Sequence, residues 1–188
     1  TAALGFTGDP DFASLTETPR TILNRNVTPQ RRVATQATTL ARMKAIGEAA
    51  GGSINDVLLA ACSGALRRYL LELDELPRKT LIASIPVALP RDAEQAGGNA
   101  ISFANVRLGT NLEDVRERFE MIKRSSAAGR AYLKQMSDTA LIDYTVLISS
   151  PQMLTRLPGI GSRVPPIYNV IISNVPGPRR RLYFMGAE

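Results

Sequence analysis

Gly51-Gly52-Ser53-Ile54-Asn55-Asp56-Val57-Leu58-Leu59-Ala60-Ala61-Cys62-Ser63-Gly64-Ala65-Leu66 reads as the stop of one helix followed at once by the start of a longer one. Leu40, Met43, Gly47 and Ala50 lie upstream at helical spacing, and Gly51-Gly52 supplies the positive-φ residue that a helix C-terminus favours. Ser53 can then cap a new helix, with Asp56 three residues on completing an S-x-x-D capping box. That helix is expected to run to about Leu73, where Glu72, Asp74, Glu75 and Pro77 end it. Nothing between Val57 and Leu66 is charged, which predicts burial on nearly every side.

Working outward, Val33, Thr35, Ala37 and Thr39 alternate as a strand would, and Thr1 to about Asn26 has the composition of a linker or extended arm. Downstream, Leu81 to Val87 reads as a buried strand in which Pro86 suggests a sheet edge or a strand end. A Gly-containing loop over 92–99 leads to a strand from Ile101 to Leu108. Thr110-x-x-Glu113 is expected to cap another helix, with Leu112, Val115, Phe119 and Ile122 on one face and Arg116, Glu117, Lys123 and Arg124 outside. A further helix is expected over Ala140 to Ser149, stopped by Pro151, then an irregular stretch over 152–166. Ile167 to Ser173 reads as a central strand leading into the turn Asn174-Val175-Pro176-Gly177-Pro178. Strands and helices mix without strict βαβ alternation, so the expected fold is an α/β (α+β) sandwich with a mixed sheet.

Composition narrows the function classes. The 188 residues contain no His, which rules out a Ser-His or Cys-His catalytic system and any His-based metal site within this chain. No metal site is expected. The lone Cys62 cannot form an intramolecular disulfide, and its apolar setting suggests a buried small hydrophobe in a reducing, cytoplasmic environment. A net charge of +6 invites an anionic partner such as a phosphate-bearing ligand or a lipid surface. The basic residues have no aromatic ladder and no nucleic-acid fold signature, so no nucleic acid is expected among the partners. The missing start Met and the strand-like Leu182-Tyr183-Phe184-Met185 are features expected of a piece of a longer protein.

Four segments, in order, carry a resemblance. Thr21-Ile22-Leu23-Asn24, followed by Arg31-Arg32-Val33-Ala34, resembles the Pro-Leu-Asn signature of the bacterial wax ester synthase/diacylglycerol acyltransferases, with Ile22 where that family usually has Pro. Asn55-Asp56-Val57-Leu58-Leu59-Ala60 resembles the family's Asn-Asp helix motif and continues into Gly64-Ala65-Leu66-Arg67-Arg68-Tyr69-Leu70. Gly98-Asn99-Ala100-Ile101-Ser102-Phe103 and Asn169-Val170-Ile171-Ile172-Ser173-Asn174-Val175-Pro176-Gly177-Pro178 complete the series. The resemblance implies a chloramphenicol acetyltransferase-like two-layer sandwich, and it makes this chain the C-terminal half of a two-domain enzyme, with 1–26 as interdomain arm and 27–188 as the C-terminal acyltransferase domain, incomplete at its end. It also implies acyl transfer from fatty acyl-CoA to a long-chain alcohol or to diacylglycerol. The base would be a His of a His-His-x-x-x-Asp-Gly motif in an N-terminal half. No cofactor beyond the acyl-CoA co-substrate is implied, and the setting would be cytoplasmic, peripherally attached to the inner membrane or lipid inclusions.

Each candidate site residue has a functional and a structural reading. Asn55 and Asp56 sit where helix N–H groups favour an oxyanion or phosphate, yet Asp56 can be spent on the cap and Asn55 on tying the helix start to a strand. Asn24 can hold the linker across the domain junction or make a local side-chain turn. Asn174, Pro176 and Gly177 can line an acyl channel or only form a type II turn. Arg179, Arg180 and Arg181 can meet coenzyme A phosphates or lipid headgroups, or be a solvated charge run. The apolar, Pro-broken stretch from Ala140 to Ile160 can touch a lipid surface or pack on the sheet. The rival function is a non-catalytic lipid- or phosphate-binding scaffold, with the Gly-Gly-led helix start as the phosphate site.

Overall fold

The computed structural model describes residues 8–25, 29–88, 101–154, 164–175, 177, 183 and 185. Helices α1 (Leu40–Ala49), α2 (Ile54–Glu72), α3 (Val115–Lys134) and α4 (Asp138–Leu154) accompany strands β1 (Ile82–Ala88), β2 (Ile101–Arg107) and β3 (Val170–Ile171), with one 3-10 turn at Ile22–Asn24. The sheet is mixed and three-stranded in the order β2-β1-β3: β1 runs antiparallel to β2 and parallel to β3. Helix α3 lies along β2 and α2 beside α3, so a helical layer covers a sheet layer. Leu59, Leu70, Leu81, Ile85, Val106, Leu108 and Ile122 fill the core between them.

The helix break reads as the sequence foretells. Gly51 has φ +62°, and its N–H donates to the Glu48 carbonyl while that of Gly52 donates to Gly47, the hydrogen-bond pattern of a Schellman stop. Ser53 then caps α2 with the reciprocal Asp56 interaction in place. At the other end Asp74 takes φ 54° and the Glu75 N–H reaches the Leu70 carbonyl, so the same device ends α2 without glycine.

Several expectations are corrected. Residues 32–38 form no strand and have no strand partner among the described residues, and Val33 is 90% exposed. Alternation gives a strand its faces; pairing needs a neighbour. Helix α2 buries Asp56, Val57, Leu59, Ser63 and Leu70, whereas Ala61, Ala65 and Tyr69 are exposed, so its uncharged run is covered on one side only. Pro86 lies in the central strand. Because the Leu81 carbonyl accepts from Leu108, odd residues of β1 bond β2 and even residues face β3. The N–H that Pro86 lacks would therefore point to the β3 side beyond Ile171, where that pairing has ended.

Strand β3 is an edge of the described sheet rather than its centre, since β1 holds the middle. The cap of α3 is Asp114, whose carboxylate accepts from the N–H groups of Arg116 and Glu117 at 2.8 and 2.9 Å. Those bonds, the one from Glu117 foremost, hold the Asp114 carboxyl below its ordinary range. Thr110 is instead buried, its hydroxyl accepting from the Leu81 N–H at 2.9 Å, and Leu112 and Val115 do not join Phe119 and Ile122 in the core. Finally, α4 runs through Pro151 to Leu154. The missing Pro151 donor leaves the Leu147 carbonyl open, and the Ser150 hydroxyl donates to it at 2.8 Å. The loop expected over 92–99, Gly98 to Ala100, Pro176, Pro178 and Arg179 to Arg181 lie outside the described residues.

Candidate functional site

The best-built polar constellation joins the segment around Asn24 to the sheet. Thr21 caps the 3-10 turn, its hydroxyl accepting from the Leu23 N–H and donating to Asn24 Oδ1 at 3.2 Å. Asn24 Nδ2 donates to the Tyr168 carbonyl at 3.1 Å. Asn169 Nδ2 donates at 2.8 Å to both Asn24 Oδ1 and the Pro19 carbonyl. The Asn169 side-chain oxygen accepts from the Ile82 N–H at 2.9 Å, while its own N–H donates to the Ile82 carbonyl at 2.8 Å. Asn169 is 6% exposed, so it bonds the first residue of β1 by main chain and side chain together in a nearly dry place. Asn24 thus makes both its local turn and a long-range tie.

A second anchor lies beside it. Arg107, at the end of β2, forms a two-pronged pair with Glu17, Nε to Oε1 at 2.9 Å and Nη2 to Oε2 at 2.8 Å. It also donates to the carbonyls of Pro10 and Phe12. Phe12 and Ala13 are buried, and the Phe12 ring meets Tyr132, which meets Tyr144 edge-on at 5.8 Å. Burial pushes the Tyr144 hydroxyl up to about 12, with Tyr132 adding to the effect.

The α2 N-terminus is a third feature. Asp56, 3% exposed, accepts through Oδ2 from the Ser53 N–H at 2.8 Å and the Ser53 hydroxyl at 2.7 Å. Its Oδ1 is buried with no partner among the described residues. A carboxylate already occupies the positive end of this helix, so a phosphate there would meet like charge. Asn55, one position earlier and half-buried, carries no side-chain hydrogen bond among the described residues. The ring of Phe119 closes this corner, since a Cβ on Gly52 would come within 2.6 Å of its Cζ. Cys62 is half-buried rather than enclosed, and desolvation raises its thiol pKa.

No hydrogen bond or ion pair among the described residues joins the Asn55–Asp56 corner to the Asn24–Asn169 tie. Asn174 and Gly177 are exposed, and nothing lies within 4 Å of a Cβ built on Gly177. Asn169 opens one of the four motif segments without any local mark of its role, and Arg107 and Glu17 lie outside all four. The available signal for Arg107 was a charge at the end of an otherwise uncharged strand. Nothing local marks Glu17.

Two family descriptions match the chain. The wax ester synthase/diacylglycerol acyltransferase catalytic domain matches residues 3–58, and the WS/DGAT C-terminal domain matches residues 97–188. The chain belongs to this family. Asn24 and Asn55–Asp56 fall in the first match and Asn169 in the second, so the Asn24–Asn169 bond ties one matched region to the other. A Mycobacterium tuberculosis protein named as a diacylglycerol O-acyltransferase is 43% identical over 170 residues, covering 90% of this chain and 38% of its own length. The O-acyltransferase WSD of Acinetobacter baylyi is 37% identical over 180 residues, 96% of this chain and 39% of its own length. The chain therefore spans less than two-fifths of these relatives. A wax ester synthase/diacylglycerol acyltransferase from Marinobacter aquaeolei VT8 superposes with TM-score 0.74 at 35% identity, covering 90% of this chain and 38% of that one. The family's chloramphenicol acetyltransferase-like fold is thus the fold of this chain.

Proposed function

We propose that this chain is the C-terminal part of an acyl-CoA-dependent O-acyltransferase that makes wax esters, triacylglycerols or both. The observation that carries the proposal is the Asn24–Asn169 tie, which locks a segment matching the family's catalytic domain to the residue just before β3, within the match to its C-terminal domain. In the reaction, the hydroxyl of a long-chain alcohol or diacylglycerol attacks the thioester carbonyl of fatty acyl-CoA. A base takes the hydroxyl proton, and the tetrahedral oxyanion collapses to ester and the coenzyme A thiolate, which recovers the proton. With no His in this chain, the base is assigned to a His-bearing N-terminal half.

Within this reading residues 1–26 are the arm between the halves and 27–188 the C-terminal domain. Asn55, its amide unspent among the described residues, is the residue we assign to the reacting groups, while Asp56 positions the helix start. Asn24 serves the junction, Asn174, Pro176 and Gly177 the channel wall, and Arg179 to Arg181 the coenzyme A phosphates or lipid headgroups. No cofactor beyond acyl-CoA enters the scheme. Among the described residues no single helix is long and apolar enough to cross a membrane. On α4, Ile142 and Val146 are 64% and 63% exposed one turn apart, which suits peripheral contact with the inner membrane or a lipid inclusion from the cytoplasmic side.

The test is an assay with palmitoyl-CoA and hexadecanol on this chain and on the longer protein containing the N-terminal half. Activity is expected only in the longer protein, with Asn55→Ala lowering kcat on the order of 100-fold. Turnover by this chain alone would refute the assignment of the base. A folded longer protein that binds lipid but turns over nothing would favour the scaffold reading.

A further inference from the structure

Residues 32–38 are exposed at every position, and they have no hydrogen-bonded strand partner among the described residues; Thr39, directly after them, has extended backbone. Their side chains nevertheless have strand character. Val33, Thr35, Ala37 and Thr39 alternate with Arg32, Ala34, Gln36 and Thr38, giving one face of β-branched and small apolar groups and one more polar face. Helix α1, which follows directly, buries only Gly47 and leaves Leu40 and Ile46 at 70% and 43% exposure. The Ala37 carbonyl accepts only a local bond, from the Gln36 side chain at 3.2 Å, and a β-patterned segment with no strand paired to it is a template for pairing.

The identity of the missing neighbour follows from which family region holds this segment. Residues 3–58 match the family's catalytic domain, whereas the sheet they would otherwise join is formed by later residues, with β2 and β3 inside the C-terminal-domain match. The relatives carry more than half of their length outside the region this chain covers. We propose that residues 32–38 pair as a β-strand with a sheet edge of the N-terminal half of the same acyltransferase, so that the halves are joined by main-chain hydrogen bonds as well as by side chains. This inference rests on the reading above that such a half exists in the same protein.

Hydrogen–deuterium exchange, resolved to peptides covering 32–38, tests it on the full-length protein and on this chain. The expected result is rapid exchange in this chain at every concentration and exchange slower by about 100-fold or more in the full-length protein. Thr35→Pro and Gln36→Pro in the full-length protein remove N–H donors that point to opposite edges of the strand. At least one of them should abolish the protection, while Thr35→Ala and Gln36→Ala keep it. Equally fast exchange in both proteins would overturn the proposal, as would protection that survives both proline variants. Protection appearing in this chain as its concentration rises would assign the edge to a second copy and also overturn it. The readout needs no turnover: a protected segment in an inactive protein would sink the enzymatic reading and leave the pairing standing.

Discussion

Residues 8–25 and 29–39 make an instructive pair. The first has no periodicity and reads as a linker, yet the structure pins it through Arg107–Glu17, the Asn24–Asn169 tie, the Arg20 bond to the Val164 carbonyl at 2.8 Å and the burial of Phe12. The second carries the alternation of Val33 to Thr39, yet it is exposed throughout and pairs with no strand among the described residues. Local pattern tells which backbone shape a segment prefers; whether it is held depends on groups far away in sequence that meet it. Arg107 meets Glu17 across 90 positions and Asn169 meets Asn24 across 145, distances no local window spans.

That contrast can be broken from its strongest point downward. Arg107→Ala should destabilise the chain by about 2–3 kcal/mol, because it strips the partly buried Glu17 carboxylate and the Pro10 and Phe12 carbonyls of their donor. Urea unfolding would show it, with the arm becoming the first site of proteolysis; an unchanged midpoint would mean the arm is held elsewhere. Asn169→Ala should cost about 2 kcal/mol by orphaning the buried Ile82 N–H, and Asn24→Ala about 1 kcal/mol. Their double variant should lose less than the sum, since both act in one network; strict additivity would deny the coupling.

A milder strain is available through pH. Tyr144 is raised from 10.0 to about 12 in the fold, so the unfolded chain loses this proton first. The stability it contributes is fully present below pH 10 and is lost as pH rises through about 12. Unfolding midpoints should fall across that window, together with loosening of Phe12 from the Tyr132–Tyr144 stack. A flat profile, with every tyrosine titrating near 10, would contradict the burial of this ring. Smallest of all, Thr35→Ala in this chain should move stability by no more than about 0.5 kcal/mol, because the side chain touches solvent. A larger loss would show that 29–39 packs on the chain after all.

Much of the fold was legible where short-range rules suffice. The Gly51-Gly52 stop and the Ser53–Asp56 box are set by residues within a few positions of each other, and both appear as read. Misreadings share a different cause. Thr110 resembles a cap, but Asp114 lies nearer the helix and offers a carboxylate, while the Leu81 N–H, just before β1, claims the Thr110 hydroxyl. Pro151 resembles a stop, but a neighbouring serine supplies a replacement hydrogen bond. Of the candidate site, Asn24, Asn55 and Asp56 were marked by motif, whereas Asn169's grip on Ile82 could not be seen before β1 and β3 were laid side by side.

The sequence by itself determined the family, the absence of a histidine base within this chain, and the two adjoining helix ends, because each is written in residue identity or in contacts a few positions apart. Only the tertiary structure decided that β1 is the central strand of the described sheet, that one side of α2 stays uncovered, and that the patternless arm is fastened while the patterned segment pairs with no strand among the described residues. Those outcomes depend on which donors and acceptors from distant parts of the chain come within hydrogen-bonding reach. A buried polar group must find such a partner, wherever in the sequence it lies.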